Sequence, residues 1–386
     1  MDNPSTGKQT ENTGYLAGTF GHDLEFLNTK DSIILLQNGD AAIAISPKYQ
    51  GRVFTSTANG SSGRSFGWVN QKAFVGAPDP HMNAYGGENR IWLGPEGGKF
   101  SLFFPKGAEM VFKNWKTPAP FDTEPWELRA RSDSSVELEK TMELVNYQGI
   151  TLRLEVNRKI SLISNIFSYL RIPGTDGVSA VGYETENQLK NTGSTEWNEQ
   201  TGMPCIWILD MFNPSDQSTI IIPYQGSAKP ATTDYFGEIP ADRIRYKNNL
   251  LFFKADGKHR GKLGIHPAAA TPVECSYDSL HGVFTVTRFD MDNQSPYLNQ
   301  EWKISKPPFS GDAVNAYNDG PLEGGGQLGP FYELESVSPA AFLKPLQSIT
   351  HRHAVFHFSG PVKSLDKIVH QILGISIDDI SQAFQK

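Results

Sequence analysis

Two short segments near the carboxyl end of this 386-residue chain carry ionisable side chains at strand-like spacing. They read FYELESV (331–337) and HRHAVFHF (351–358). Because side chains alternate between the two faces of a strand, Glu333 and Glu335 share one face of the first segment. In the second segment His351, His353 and His357 share a face by the same alternation. Carboxylates and imidazoles that line one cleft can transfer protons, so we predict His353 and His351 as catalytic residues.

These histidines allow two other interpretations. The Cα atoms of His351 and His353 would lie roughly 6.5–7 Å apart, close enough for one metal ion to be bound with a neighbouring carboxylate. That arrangement would indicate a metal-dependent hydrolase or lyase. The other interpretation is a polar strand face that meets solvent and has no chemical role. A further pair, His266 and His281, matches no zinc-binding framework, and we predict no metal or cofactor.

A third segment, GGENRIWLG at 86–94, combines an acid, a guanidinium and a large aromatic ring. If it is extended, Glu88, Arg90 and Trp92 share one strand face. Such a set suits a sugar, because charged groups bind hydroxyls and an aromatic ring stacks on the C–H face of a sugar ring. The alternative is an Arg–Glu pair beside a core tryptophan. The predicted substrate-binding residues are Asn89, Arg90, Trp92, Glu88, Glu333 and His81.

The composition excludes several classes of protein. A net charge of −7 gives no reason to expect nucleic acid as a partner. No apolar run approaches the roughly 18 residues of a membrane span. Hydrophobic residues make up 38% of the chain and charged residues 20%, as in globular proteins with a large core.

Short apolar or alternating runs that end in Gly, Pro, Asn or Asp recur from about residue 25 onward. Their β-branched and aromatic content predicts an all-β fold, a large antiparallel sandwich with few helices. We interpret SLISNIFSYL at 161–170 as a further strand. Helices are predicted only at the carboxyl end, where Ser364 and Ser376 are candidate N-caps and Gly374 can end the first helix.

These patterns divide the chain into three parts. Residues 1–24 are predicted to be a flexible polar tail, residues 25–362 a single β-domain, and residues 363–386 helices that pack on that domain. We also expect export, to the periplasm or beyond, after removal of a signal segment. The two cysteines, Cys205 and Cys275, lie far apart in sequence and allow either one disulfide or two buried thiols.

Three motifs resemble the galactose mutarotase-like (aldose 1-epimerase) superfamily. They are NRI at 89–91, the run VGYETENQLKNTGSTEWNEQTGMPCIWI at 181–208, and LESVSP at 334–339. The resemblance spans about residues 25–360 and is greatest to a subgroup of uncharacterised, exported bacterial proteins. It implies a β-supersandwich that binds a carbohydrate on its concave face. Carried over by position, Glu335 matches the general base of the superfamily and Arg90 a substrate-binding arginine.

The chain departs from this superfamily at the general acid. Mutarotases carry a histidine that acts as the general acid in the central region. At that place this chain reads TGMPCIW, with Met203 and Cys205. No histidine occurs between His81 and His259. The acid is then expected among His81, His266, His281, His351 and His353. Two functions follow: an aldose 1-epimerase-like enzyme, or a carbohydrate-binding protein of the same fold without catalysis.

Overall fold

The structure, a computed structural model, describes residues 14–226, 229–322 and 324–385. In chain order its strands are β1 (Ile34–Asn38), β2 (Ala41–Ser46), β3 (Arg52–Thr57), β4 (Arg90–Gly94), β5 (Glu127–Arg131), β6 (Ser135–Val145), β7 (Thr151–Leu162), β8 (Ser179–Asn191), β9 (Cys205–Phe212), β10 (Ser218–Pro223), β11 (Ala231–Thr232), β12 (Ile244–Lys247), β13 (Leu250–Lys254), β14 (Gly261–Ile265), β15 (Val273–Asp278), β16 (Val283–Phe289), β17 (Val314–Asn318), β18 (Tyr332–Val337) and β19 (Ser348–Ser359). The α-helices are α1 (Phe20–Asn28), α2 (Ile166–Leu170), α3 (Val362–Leu373) and α4 (Ile377–Ser381). Single 3₁₀ turns are formed by Gln71–Phe74, Phe112–Asn114 and Ala119–Phe121.

These strands form three antiparallel sheets, which confirms the predicted all-β fold. The largest sheet has ten strands in the order β12-β13-β10-β15-β16-β19-β8-β7-β6-β5. A six-stranded sheet has the order β11-β14-β17-β18-β9-β4, and a smaller sheet has the order β1-β2-β3. Neighbouring strands β18 and β9 pair antiparallel, as do β19 and β8. The two segments singled out in the sequence therefore lie in different sheets.

The ten-stranded and six-stranded sheets pack face to face around the main core. One continuous apolar cluster includes Ile160 and Val355 from the large sheet together with Leu334 and Ile208 from the six-stranded sheet. The alternating pattern of β7 supplies this cluster, because every second residue of TLRLEVNRKISL is buried. The burial of these apolar side chains is the main force that holds the two sheets together.

The outer face of the large sheet carries a second apolar cluster, formed with the C-terminal helices. Phe356 and Phe358 of β19 pack with Leu365 and Ile368 of α3. Both faces of β19 are therefore buried. The apolar residues Phe356 and Phe358 lie under the helices, and the histidines lie in the inter-sheet core.

The structure corrects three sequence predictions about helices. Residues 20–24 are not a tail, because they begin α1, whose Phe20 and Leu27 are buried against Phe54. Residues 1–13 lie outside the described part of the chain. The run 161–170 is not all strand, since β7 ends at Leu162 and α2 follows.

Helix α3 begins at Val362, one residue before the predicted boundary, and its predicted N-cap is wrong, whereas that of α4 is confirmed. Pro361 occupies the N-cap position of α3, and the Ser364 hydroxyl donates to the Asp176 carbonyl instead of capping. Ser376 caps α4 in a capping box with Asp379. Gly374 ends α3 in the left-handed conformation, with φ of 71°.

Candidate functional site

The outer face of the six-stranded sheet gathers polar side chains from four strands, three of which supply charged groups. One cross-strand row contains Arg90, Glu335 and Asn315, because Arg90 and Glu335 both pair with Leu209 of β9 and Glu335 pairs with Asn315. The adjacent row contains Glu333 and, two strands away, Lys262. We call this surface the glutamate face and define it by five residues: Arg90, Lys262, Asn315, Glu333 and Glu335. Strand alternation brings them together, since the intervening Leu334 faces the other sheet.

Glu335 is fully buried and held by two donors. The Lys262 ammonium lies 3.0 Å from Oε1 and 2.8 Å from Oε2 of this carboxylate. The Trp207 indole donates from Nε1 to Oε2 at 2.9 Å. Burial alone lowers the pKa of Lys262, but attraction by Glu335 and Glu333 overcomes it and holds the pKa above its usual value. These charge-assisted bonds fix the position of the Glu335 side chain.

The surroundings of Glu333 favour its protonated form. Burial and repulsion from Glu335 raise its pKa to about 8, although Arg90 and Lys262 oppose this change. Nη2 of Arg90 is 3.6 Å from Oε1 of Glu333, longer than a hydrogen bond. At neutral pH Glu333 therefore carries a proton while Glu335, two residues away on the same face, binds a lysine.

Arg90 is buried and has one nitrogen, Nε, that makes no hydrogen bond to the described residues. Its centre lies 4.1 Å above the Trp92 ring, and only 4% of its surface is exposed. Nε has no hydrogen-bond partner among the described residues. The amide nitrogen of Asn315, on the other side of Glu335, is also buried without a partner there. Unpaired buried donors are costly, and they are often found where a ligand supplies the acceptor.

Aromatic side chains enclose one side of the glutamate face. Trp92 contacts Trp207 edge to face at 5.6 Å between ring centroids, and the Trp115 centroid lies 6.5 Å from that of Trp92. Since Arg90 covers the Trp92 ring, this tryptophan positions the guanidinium. The predicted sugar-stacking role of Trp92 is therefore replaced by a supporting one.

Two residues of the glutamate face were missed in the sequence, namely Lys262 and Asn315. Lys262 is 73 positions from Glu335 along the chain, so no local spacing connects them. The one available signal is a lysine within GKLGI, a short strand that is otherwise apolar or glycine and that is buried throughout. Lysines are rarely buried unless they are paired.

The expectation that the histidines open onto the same face as Glu335 is wrong. The Ser336 hydroxyl lies 2.8 Å from Nε2 of His351 and 2.8 Å from Nδ1 of His353. Ser336 alternates with Glu335 on β18 and so points between the two sheets. Nε2 of His353 pairs with Asp210 at 2.6 Å in the same interior. Burial, together with His353, lowers the pKa of His351 to about 3, so His351 is neutral.

Glu88 and Asn89 also point into the interior, away from Arg90. The Glu88 carboxylate accepts from Ser56 at 2.7 Å and lies 3.1 Å from Nε2 of His357. The Asn89 amide donates to Asp210 at 2.6 Å. The prediction that Glu88 shares a face with Arg90 and Trp92 is wrong because the chain is not a regular strand before Arg90, where β4 begins.

His81 lies at the edge of the aromatic group next to the glutamate face. Its Nδ1 is 2.6 Å from the Trp115 carbonyl, and its ring stacks on Phe112 at 4.7 Å. It does not contact Glu335 or Glu333. The five residues of the glutamate face include no histidine, and Glu333 is the proton-bearing group there.

The described residues contain no group of three or more His, Cys, Asp or Glu side chains arranged to hold a metal ion. His351 and His353 are already hydrogen-bonded to Ser336, so their geometry does not favour the metal-dependent interpretation. Cys205 and Cys275 are both free and buried.

A separate surface groove of about 520 Å³ is lined by Asp290, Phe342 and His351 among others. Neither Glu335 nor Lys262 lines it. The glutamate face is more enclosed, with 8% of the Glu333 side chain and 11% of the Lys262 side chain exposed. We place the candidate site at the glutamate face, because two carboxyl groups, a lysine and an arginine lie together there.

A known protein family covers almost the whole chain. The family of unknown function DUF6786 matches residues 18–384. This chain belongs to the DUF6786 family. No curated protein matches its sequence.

Solved structures identify the fold of this DUF6786 member. A galactose mutarotase-like protein from Lactobacillus casei ATCC 334 is similar over 84% of this chain and 100% of that chain, with 13% identity and a TM-score of 0.51. The Slr1438 protein from Synechocystis sp. PCC 6803 is similar over 86% and 96%, with 13% identity and a TM-score of 0.53. A candidate aldose 1-epimerase from Escherichia coli K12 covers 84% and 98%, with 13% identity and a TM-score of 0.50. The galactose mutarotase-like fold is thereby confirmed.

No helix within the described residues is long and apolar enough to cross a membrane.

Proposed function

We propose that this protein is an aldose 1-epimerase-like enzyme that binds a sugar on the glutamate face. The observation that carries the proposal is the pair of carboxyl groups on β18. Lys262 and Trp207 donate hydrogen bonds to Glu335, while Glu333 has a pKa of about 8 and keeps its proton. Two neighbouring carboxyl groups in such different surroundings can act as a base and an acid in one site.

Anomer interconversion needs both groups. The base removes the proton of the anomeric hydroxyl while the acid gives a proton to the ring oxygen, and the bond between the anomeric carbon and the ring oxygen breaks. The open-chain aldehyde rotates about its first carbon–carbon bond. Ring closure then returns the two protons in the reverse sense, so the enzyme is unchanged. Here Glu335 is the base and Glu333 the acid, in place of the histidine that mutarotases use.

Arg90 and Asn315 would hold the sugar. The guanidinium of Arg90 is fixed over Trp92 and its Nε is without a partner among the described residues, so it can donate to hydroxyl oxygens of the ligand. The Asn315 amide can do the same from the other side of Glu335. Because both side chains are already buried, binding costs little additional side-chain entropy.

A carbohydrate-binding protein without catalysis is the second candidate. It is favoured by one observation, that both oxygens of Glu335 are already occupied by Lys262 and Trp207. A base in such contacts is less free to accept a proton. The two candidates differ in one measurement. Exchange NMR or polarimetry on freshly dissolved α-glucose, α-galactose and α-xylose would detect faster anomer interconversion only if the protein is an enzyme.

We predict that the enzymatic rate falls as pH rises through about 8. The pKa of Glu333 is raised from 4.5 to about 8, so Glu333 is protonated and able to donate below this pH and is ionised above it. The rate should be measured between pH 5 and 9.5 after subtraction of the uncatalysed reaction. Glu333→Gln removes the donated proton and should lower the rate by about 10²–10⁴-fold at neutral pH.

Glu186→Gln is the matched control for Glu333→Gln, because the Glu186 side chain lies on β8 and pairs with Arg352 at the surface. It should leave the profile unchanged. A wild-type rate that stays level from pH 7 to 9.5 would show that Glu333 is not the acid.

A further inference from the structure

A row of aromatic rings leads from the glutamate face to the protein surface. Phe112, in a 3₁₀ turn, has 62% of its surface exposed. The His81 ring stacks on it at 4.7 Å. The Trp115 ring lies 6.0 Å from the Phe112 ring, with an interplanar angle of 21°. Trp302 lies 5.9 Å beyond Trp115 at 27°. We call His81, Phe112, Trp115 and Trp302 the aromatic row.

The aromatic row is continuous with the glutamate face through Glu96. Burial raises the pKa of Glu96, and Lys262 followed by the indoles of Trp302 and Trp115 oppose this change. The Glu96 carboxyl therefore lies between the row and the lysine that holds Glu335. Trp115 is only 6% exposed, Phe112 is 62% exposed, and His81 and Trp302 are half-buried.

The row also lies beside a buried carboxyl group. Nε1 of Trp115 is buried next to Glu96, whose raised pKa is opposed by the indoles of Trp302 and Trp115. Flat rings of nearly parallel orientation, with this carboxyl beside them, suit a ligand that alternates C–H faces with hydroxyl groups.

We infer that the aromatic row binds the second and following units of a linear oligosaccharide whose reducing-end unit lies at Glu333 and Glu335. This inference rests on the proposed function. Anomer interconversion requires a free anomeric carbon, so the chain must extend from the reducing end at the acid–base pair towards its non-reducing end along the row. The preferred substrate is an oligosaccharide, and a single sugar fills only the inner part of the site.

Titration calorimetry with sugars of one to five units tests this inference. The probes are glucose with maltose to maltopentaose, glucose with cellobiose to cellopentaose, and xylose with xylobiose to xylopentaose. In one series the affinity should increase by about tenfold, equivalent to 1.4 kcal/mol, as the second and third units are added. The affinity should then stay constant for longer sugars, because the row ends there.

Phe112→Ala should reduce the ratio between the affinities for the trisaccharide and the single sugar by about fivefold to tenfold. This side chain is exposed, so its removal is compatible with folding. Leu346→Ala is the matched control, since Leu346 is 73% exposed and distant in sequence from the aromatic row. It should leave the ratio unchanged.

The outcomes separate this inference from the proposed function. A protein that speeds anomer interconversion of single sugars but binds longer sugars no more tightly would overturn the inference alone. A chain-length gain that survives Phe112→Ala would also overturn it. A protein that neither binds nor interconverts any probe would overturn the proposed function together with the inference.

Discussion

Glu335→Gln is expected to slow anomer interconversion by about 10²–10⁴-fold, because glutamine keeps the shape of the side chain but cannot accept a proton. Sugar affinity should change little, since Arg90 and Asn315 still donate to the ligand. The rate is measured by exchange NMR on the substrate with the highest wild-type rate. Affinity is measured separately by calorimetry, so that a loss of binding is not mistaken for a loss of catalysis.

Two controls accompany this variant. Glu335→Gln leaves the Lys262 ammonium, 2.8 Å away, without its carboxylate, so the fold must be checked by circular dichroism and by urea unfolding. Glu186→Gln tests for a general effect of losing a carboxylate at the surface. If the wild type binds sugars without any rate increase, the carbohydrate-binding candidate is correct. Glu335→Gln should then weaken binding by about 1–3 kcal/mol.

Arg158→Met is expected to destabilise the fold by about 3–5 kcal/mol. Arg158 is fully buried between the sheets, and burial lowers its pKa to about 10, which leaves it charged at neutral pH. It donates to the Gly51 carbonyl at 3.0 Å, to Asn187 at 2.6 Å and to Asn89. Its removal leaves these buried acceptors without a partner. Urea unfolding followed by circular dichroism measures the loss of stability.

The same strand provides the matched control. Arg153 also lies on β7, but its side chain is 60% exposed and pairs with Glu143 at the surface. Arg153→Met should therefore change the free energy of unfolding by about 1 kcal/mol or less. Equal effects of the two substitutions would contradict the structural role of Arg158.

Arg158 belongs to a buried polar network that explains the histidines of β19. Asn89 receives a hydrogen bond from Arg158 and donates to Asp210, and Asp210 pairs with His353. Ser336 joins His353 to His351. Each of these side chains is the hydrogen-bond partner of the next one, in the interior between the two sheets. These residues therefore hold the two sheets in one relative position, with Asn89, β9 and β18 on one side and β7 and β19 on the other.

Much of the fold can be predicted from the sequence because strand alternation is a local property. The residues of β7 alternate between exposed and buried positions, as an antiparallel strand with one covered face requires. The same alternation correctly placed Glu333 and Glu335 side by side. The N-cap Ser376 and the left-handed Gly374 are also local features, so the residue types around each helix end are enough to predict them.

The sequence by itself determined which side chains share a strand face, but only the tertiary structure decided what each face meets. Helix α3 covers one face of β19, so the polar face of that strand lies in the core and not at a ligand site. The pairing of β14, β17 and β18 brought Lys262 to Glu335 across 73 positions of the chain. Strand pairing depends on burial summed over the whole sheet, and no local pattern encodes it. The base of the proposed site could therefore be predicted, whereas its lysine partner and the proton-bearing state of Glu333 could not.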